Sequence, residues 1–449
     1  MSRSVTREWS ASGRARSAPP SPPESLLISG ARILDPCSGF DGTGHLGIRG
    51  GRIVALSKAR PKESYDAQVD GKGLWLLPGL VDLCARFREP GQTHKASFAS
   101  ETAAAQAGGI TTVLLPPDTQ PAIDSPAMLQ RVLRIARQTG GLDVRVLGAL
   151  TRGLAGEALA ELSALKTAGA AGVGNGLNGL RDALVARRAL EYAHGLDLTV
   201  HVFAQDAALA AGGCAHEGPV ATRLGLAPIP VAAEVAAIRH WISLVEDTGA
   251  RVHFCRLSTA RGAELVAMAR QRGLRISADV AAHQLFLADT DLTGFNAQCH
   301  VLPPLRSAED RQALRAAVAD GTIGAICSDH QPHEADAKIN PFPQTEPGIS
   351  ALETLLPLSL RLVHEGLLSP LDLADRLSAG PARLAAIEAG RLAVGTPAHL
   401  VLVEPDIPWT LRPERLLSRG RNTPFAGTDF RGQAVRTFHA GIEVFRRGS

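Results

Sequence analysis

Cys84, Arg86 and Arg88 occupy alternate positions of Gly79-Leu80-Val81-Asp82-Leu83-Cys84-Ala85-Arg86-Phe87-Arg88-Glu89-Pro90-Gly91, whose apolar start reads as a strand delivering polar groups to its carboxyl end. Period-two geometry puts Cys84 and Arg86 on one face. The Cys84 thiol is either a soft-metal ligand or an inert buried group. Arg86 places a permanent positive charge where a divalent ion would need a donor. At about 5 Å and an effective dielectric near 20, the repulsion is on the order of several kcal/mol. Arg88 follows on the same periodicity and either clamps a planar carboxylate or forms a salt bridge with Glu89.

Further polar stations lie downstream. Asp118 and Thr119, in Pro116-Pro117-Asp118-Thr119-Gln120-Pro121, either face the same opening or organise a Pro-rich turn. Beside Arg88, Asp118 would neutralise a carboxylate receptor. Asn175 is a weak metal donor and Phe203 supplies none. No lysine stands near Asn175 to become a carbamylated bridge. His253 and Cys255 share one strand face, as part of an alternative zinc site or as a hydrogen-bonded histidine beside a core thiol, while Arg256 faces oppositely. His283-Gln284 and Ser328-Asp329-His330-Gln331-Pro332-His333 add polarity. Asp329 is placed as a metal-binding general base would be, but a carboxylate near a histidine supplies neither Lewis acid nor activated hydroxide by itself. His330 or His333 would cap a loop or bind a partner. Consecutive Ser328, Asp329 and His330 do not establish a serine triad, and a Cys84–His253 pair is unsupported.

The elements that must position these groups alternate. Strand-like runs fall at 80–87, 111–115, 144–150, 171–174, 198–203, 252–257, 275–280 and 325–328, separated by amphipathic helical segments, with Gly108-Gly109, Gly169 and Gly273 as helix stops. Eight strands suffice to close a TIM-like (β/α)8 barrel. An open doubly wound sheet is the structural alternative, weakened because Gly172-Val173-Gly174-Asn175-Gly176 lacks a phosphate-binding continuation. A hairpin at 45–56 turning on Gly50-Gly51, with terminal strands at 398–403 and 434–438, predicts a small composite β-sandwich domain. The expected organisation is a flexible tail at 1–25, a β-domain from 26–77 plus 390–447, and a barrel at 78–389.

Composition narrows the classes. The 449 residues are 45% apolar, and 47 Lys plus Arg against 44 Asp plus Glu leave +3. These interspersed charges and an aromatic content of 4% give no nucleic-acid platform. Six cysteines without short paired spacing read as reduced thiols in a cytoplasmic protein. The Ser-, Arg- and Pro-rich start, with Arg7, Arg14 and Arg16, lacks a signal-peptide core and reads as a solvated tail or a partner contact. No segment reads as membrane-spanning.

Ordered motifs run through most of the chain: VDLCARFREPG at 81–91, AGGITTVLLPPDTQP at 107–121, EGPVATRLGLAPIP at 217–230, TGARVHFCRLST at 248–259, SDHQPH at 328–333 and NTPFAG at 422–427. Through them residues 26–446 resemble dihydroorotase, in the cyclic amidohydrolase superfamily, whose members open and close the dihydroorotate ring with a zinc centre. The resemblance implies metal-binding histidines at the Cys84 and Arg86 positions, an acidic ligand at Asn175, and further histidines at Phe203 and Arg256, with the last acid retained as Asp329. It also implies a carboxylate-recognition arginine, retained as Arg88, beside an asparagine replaced by Asp118. Leu302 replaces a substrate-loop asparagine, and His333 stands at a substrate-contact position.

Five altered metal positions predict a pseudoenzyme with no cofactor, most like the inactive dihydroorotase-like subunit found with certain bacterial aspartate transcarbamoylases. Arg88 and Asp329 would then be remnants. The expected partner is the aspartate transcarbamoylase catalytic subunit in a hetero-oligomer, or the chain forms a homodimer alone, with no nucleic acid and no membrane. One alternative is a divergent zinc-dependent dihydroorotase or other cyclic amide hydrolase using Cys84, His253, Cys255 or Asp329. Another is a ligand-sensing barrel for a carboxylated metabolite held by Arg88.

Overall fold

Apolar residues of the N-terminal strands are buried in a computed structural model that describes residues 24–180 and 182–448. The tail expectation, with Arg7, Arg14 and Arg16, lies outside the described residues except for its last two positions. Strand β1 (Ser25–Asp35) runs through both early apolar clusters, its register shifting between Ser29 and Ala31 where Gly30 takes φ 76°. Strands β2 (Phe40–Arg49) and β3 (Arg52–Ser57) form the hairpin. Its turn residues Gly50 and Gly51 have φ of 54° and 75°, which glycine adopts without strain. Two short strands follow, β4 (Ala67–Asp70) and β5 (Trp75–Pro78).

The barrel comprises β6 (Leu80–Asp82), β7 (Ile110–Leu115), β8 (Asp143–Ala149), β9 (Gly172–Gly174), β10 (Val200–Phe203), β13 (Val252–Cys255), β14 (Ile276–Ala281) and β15 (Ala325–Cys327), all parallel and adjacent in chain order. A two-residue pair, β11 (Ala215–His216) with β12 (Pro228–Ile229), lies in a side loop. The first strand is shorter than the sequence pattern suggests. Beyond Asp82 the backbone touches its last neighbour through a single bridge, Ala85 to His330. Arg86 N–H donates to the His330 carbonyl at 2.9 Å and His330 N–H to the Cys84 carbonyl at 3.1 Å, which closes the ring between first and eighth strands.

Helices cover the outside: α1 (Phe98–Ala107), α2 (Pro126–Thr139), α3 (Leu162–Thr167), α4 (Ala183–Gly195), α5 (Pro219–Leu224), α6 (Val231–Thr248), α7 (Ala260–Gln271), α8 (Ala308–Ala319) and α9 (Leu355–His364), followed by the short α10 (Pro370–Ala374) and α11 (Gly380–Leu384). Their starts are written locally. Ser125 caps α2 ahead of Pro126, and Thr259 caps α7. Glu234, buried on α6, accepts from both backbone and hydroxyl of Ser258 and Thr259, tying α6 to the loop after β13.

The chain ends in β16 (Leu400–Thr410), β17 (Asp429–His439) and β18 (Ile442–Arg446). They join the N-terminal strands in one mixed sheet ordered β18-β17-β16-β5-β1-β2-β3, with β4 on β1. Its apolar core is built from both ends of the chain, with Ile28, Ile33, Leu46 and Leu76 packing against Leu400, Leu402 and Phe438. Among the described residues no helix is long and apolar enough to cross a membrane.

Candidate metal centre

The barrel mouth is an ion-pair network. Arg86, 5% exposed, donates from Nε to Asp118 at 2.9 Å and from Nη1 to Asp329 at 3.3 Å. Arg256 donates from Nη1 to the Cys84 sulfur at 2.9 Å, and its Nε lies 3.5 Å from Asp329 without hydrogen-bond geometry. Its guanidinium stacks 5.0 Å from the Phe203 ring centroid. Burial drives the Cys84 thiol up to about 12, so it is neutral and donates to Asp329 at 3.5 Å. Burial alone would lower Arg86, but Asp118 first, then Cys84 and Asp329, outweigh it and hold the group cationic.

Asn175 accepts from Thr151 Oγ1 and donates to the Leu154 and Asn178 carbonyls, leaving its side chain engaged in a turn. Two guanidiniums, this amide and a phenyl ring therefore occupy four of the six positions that the sequence resemblance makes metal-binding. A cation does not fit there.

Three mouth residues have left-handed backbones, at φ of 60° for Arg88, 57° for Arg256 and 47° for Asp329. This overturns two expectations from strict alternation. Arg256 does not face away, because β13 ends at Cys255 and the reversal turns its side chain into the mouth. Arg88 leaves the Arg86 face and donates to the Pro332 carbonyl, Gln92 and His333. Glu89 does not orient it but accepts from Phe98 N–H at the start of α1. Asp118 pairs with Arg86 rather than neutralising Arg88. His333 is pushed to about 2 by burial and by the Arg88 and Lys95 cations. His330 is fully engaged, with Glu101 at Nε2 and Ala351 N–H at Nδ1, and anchors the loop. Leu302 packs against Ala210, Ile229 and Ala233.

One layer below the mouth lies a different set of groups. In the parallel register His201 faces His253 and Phe203 faces Cys255. One ligand atom each from His201, His253 and Cys255 lies within 4.8 Å of the others, the one cluster of this kind among the described residues. His201 is 5% exposed and its Nε2 has no hydrogen-bond partner. Burial, then the neighbouring His253, lowers it to about 3, so it is the neutral ring a metal requires. His253 bonds through Nε2 to Asp279 at 2.8 Å. With that nitrogen donating, the ring's lone pair is on Nδ1, where it accepts from the Ser277 hydroxyl at 2.9 Å, so a metal at Nδ1 would displace that hydroxyl. A carboxylate behind a histidine is the usual outer support of a metal ligand. Burial raises the Cys255 thiol well above its ordinary range, so it would release its proton to solvent only on binding a cation.

Two imidazoles and one thiol are a donor set that suits zinc. This cluster corrects the expectation of a metal-free, noncatalytic pseudoenzyme with no cofactor. The donors lost from the mouth are not lost from the barrel. Sequence reasoning found His253 and Cys255 but missed His201. The available signal was its position two residues before Phe203 on the same strand face.

A family model described as dihydro-orotase-like matches residues 73–262. A dihydroorotase-like protein of Pseudomonas aeruginosa is 51% identical over 403 residues, covering 90% of this chain and 95% of that protein. A dihydroorotase of Syntrophotalea carbinolica is 39% identical over 422 residues, covering 94% and 99%. Among solved structures, the L-hydantoinase of Arthrobacter aurescens superposes with a TM-score of 0.86 at 24% identity, covering 94% of this chain and 96% of that one, which speaks to the fold. The chain belongs to the dihydroorotase-like family of the cyclic amidohydrolase superfamily.

Proposed function

We propose that this protein is a divergent metal-dependent hydrolase of cyclic amides, a dihydroorotase or a close relative in chemistry. The observation that carries the reading is the His201, His253 and Cys255 cluster. Its relatives named dihydroorotase, at 38–41% identity, support the cyclic amide class. A zinc ion held by these three side chains would supply a Lewis acid and water of lowered pKa. Asp279 fixes the His253 tautomer. Arg86 and Arg256 hold the Asp329 carboxylate at the mouth.

The test is metal analysis and turnover on protein made in a host lacking its own dihydroorotase. Stoichiometric zinc, hydrolysis of a cyclic amide, and loss of both in His201→Ala and Cys255→Ser are expected. Protein without zinc, or turnover indifferent to both substitutions, overturns the reading. A cytoplasmic location accords with six unpaired cysteines. Association with the aspartate transcarbamoylase catalytic subunit, carried over from the sequence resemblance, is tested by copurification of the two chains.

A further inference from the structure

Two guanidiniums converge at the barrel mouth with donors left over. Arg86 Nη1 and Arg256 Nη1 lie 3.8 and 2.9 Å from the same Cys84 sulfur, and Arg86 Nη1 and Arg256 Nε lie 3.3 and 3.5 Å from the same Asp329 Oδ1. A guanidinium is planar and rigid, so holding these atoms also holds the Nη2 beside each. Neither Nη2 has a hydrogen-bond partner, although Arg86 is 5% and Arg256 3% exposed. Buried N–H groups are ordinarily satisfied. The carboxylates around them are already engaged. Asp329 Oδ1 accepts from Arg86 and Cys84 and its Oδ2 from Gln331, while Asp279 Oδ1 accepts from Arg256 N–H and Cys327 and its Oδ2 bonds His253. Asp118 Oδ2 takes Arg86 Nε. His283, buried in the field of Asp329 and Arg256, also has both ring nitrogens unpartnered.

We propose that the mouth binds a single-atom monovalent anion, a halide such as chloride, between Arg86 Nη2 and Arg256 Nη2. The partner these groups call for accepts without donating. Arginine offers five N–H donors and no acceptor, whereas a water that takes two of them must place two hydrogens of its own. A halide only accepts, and its bonds to a guanidinium are charge-assisted. Burial sets the size: Cys84, Arg86, Arg256 and Asp329 are each 5% exposed or less, which suits one atom rather than a metabolite. Where the sequence resemblance puts a cation, this chain holds an anion. The assignment stands whether or not the deeper cluster carries zinc.

Two measurements on the full chain test this, with chloride and bromide as probes. Chloride titrated against gluconate at constant ionic strength, which keeps general screening fixed, should raise Tm saturably, by about 1–2 °C at tenfold excess over Kd. Bromide-soaked crystals should show an anomalous peak within hydrogen-bond reach of both Nη2 atoms. Arg256→Met, which keeps length but removes the donors, should weaken chloride by about tenfold or more and abolish the peak. If that variant melts too early to use, the peak in the natural protein decides. A flat titration, water density between the two guanidiniums, or bromide found only elsewhere overturns the assignment, as does undiminished chloride binding by the variant.

Discussion

Replacing Asp118 with alanine removes the carboxylate 2.9 Å from Arg86 Nε and strands a guanidinium that is 5% exposed. At that separation and an effective dielectric near 20, the gross attraction is about 6 kcal/mol. Most of this is offset by the desolvation of the two charges. Two features reduce the loss further: Arg86 keeps Asp329 at 3.3 Å, and Asp118 is 22% exposed, so water can follow the deletion. Breaking a buried pair costs about 3–5 kcal/mol, and with these discounts about 2–3 is expected here. With an unfolding entropy of about 0.9 kcal/mol/K for 449 residues, the apparent Tm should fall by about 2–3 °C. Replacing both partners, Arg86→Leu with Asp118→Leu, removes that pair but leaves Asp329 only Arg256 at 3.5 Å, and should cost less than the sum of the two single changes. Differential scanning calorimetry and urea unfolding on the natural protein, Arg86→Leu, Asp118→Leu and the double variant give the cycle. A single variant within about 0.5 kcal/mol of the parent would refute the reasoning, as would additive effects in the double variant.

Asp279→Asn should weaken zinc binding about 10–100-fold by loosening His253, measured by competition with a chromophoric chelator; unchanged affinity would remove Asp279 from the support of the site. Zinc affinity should rise about tenfold per pH unit between about pH 6 and 8, because the Cys255 thiol must release its proton while His201, at about 3, is already neutral. A flat profile would exclude Cys255. Histidines held neutral in the fold, His201 at about 3, His283 at about 4 and His333 at about 2, bind fewer protons than their unfolded counterparts. Their stability contribution is complete above about pH 6.5 and is lost on acidification below it, at about 1.4 kcal/mol per pH unit for each group. Asp82 and Glu353, raised to about 7 by burial, act in the opposite sense over the same window. The check is therefore a His333→Gln variant, whose loss of stability between pH 7.5 and 5.5 should be smaller than the natural protein's; an equal loss would contradict this.

The barrel was legible because its strands are short apolar runs spaced by helix-length segments, and all eight occur where the pattern puts them. The terminal sheet was legible through the Gly50-Gly51 turn and the unpaired strands at the two ends, although β18 gave no such signal. The site was legible only in part. Alternation correctly grouped His253 with Cys255, since both lie inside β13. It failed at Arg88 and Arg256, where a left-handed residue past the strand end reverses the side chain. Nothing in their residue types announces that conformation, because arginine rarely adopts it. The metal expectation failed for a related reason. The resemblance points to donors at the family's own positions, and the cluster lies one pleat deeper, where His201 completes it.

The terminal sheet has a bearing on biosynthesis. Strand β5 ends at Pro78 and its partner β16 begins at Leu400, 322 residues later. At ribosomal rates of about 5–20 residues per second, the first five strands wait on the order of 16–64 s for their neighbour. Until then β5 is a bare edge with Leu76 and Leu77 unshielded, a template for wrong pairing. The newborn strands β1 to β5 thus wait with one edge open, and nonsense alleles that remove only β16 to β18 would leave that edge open permanently.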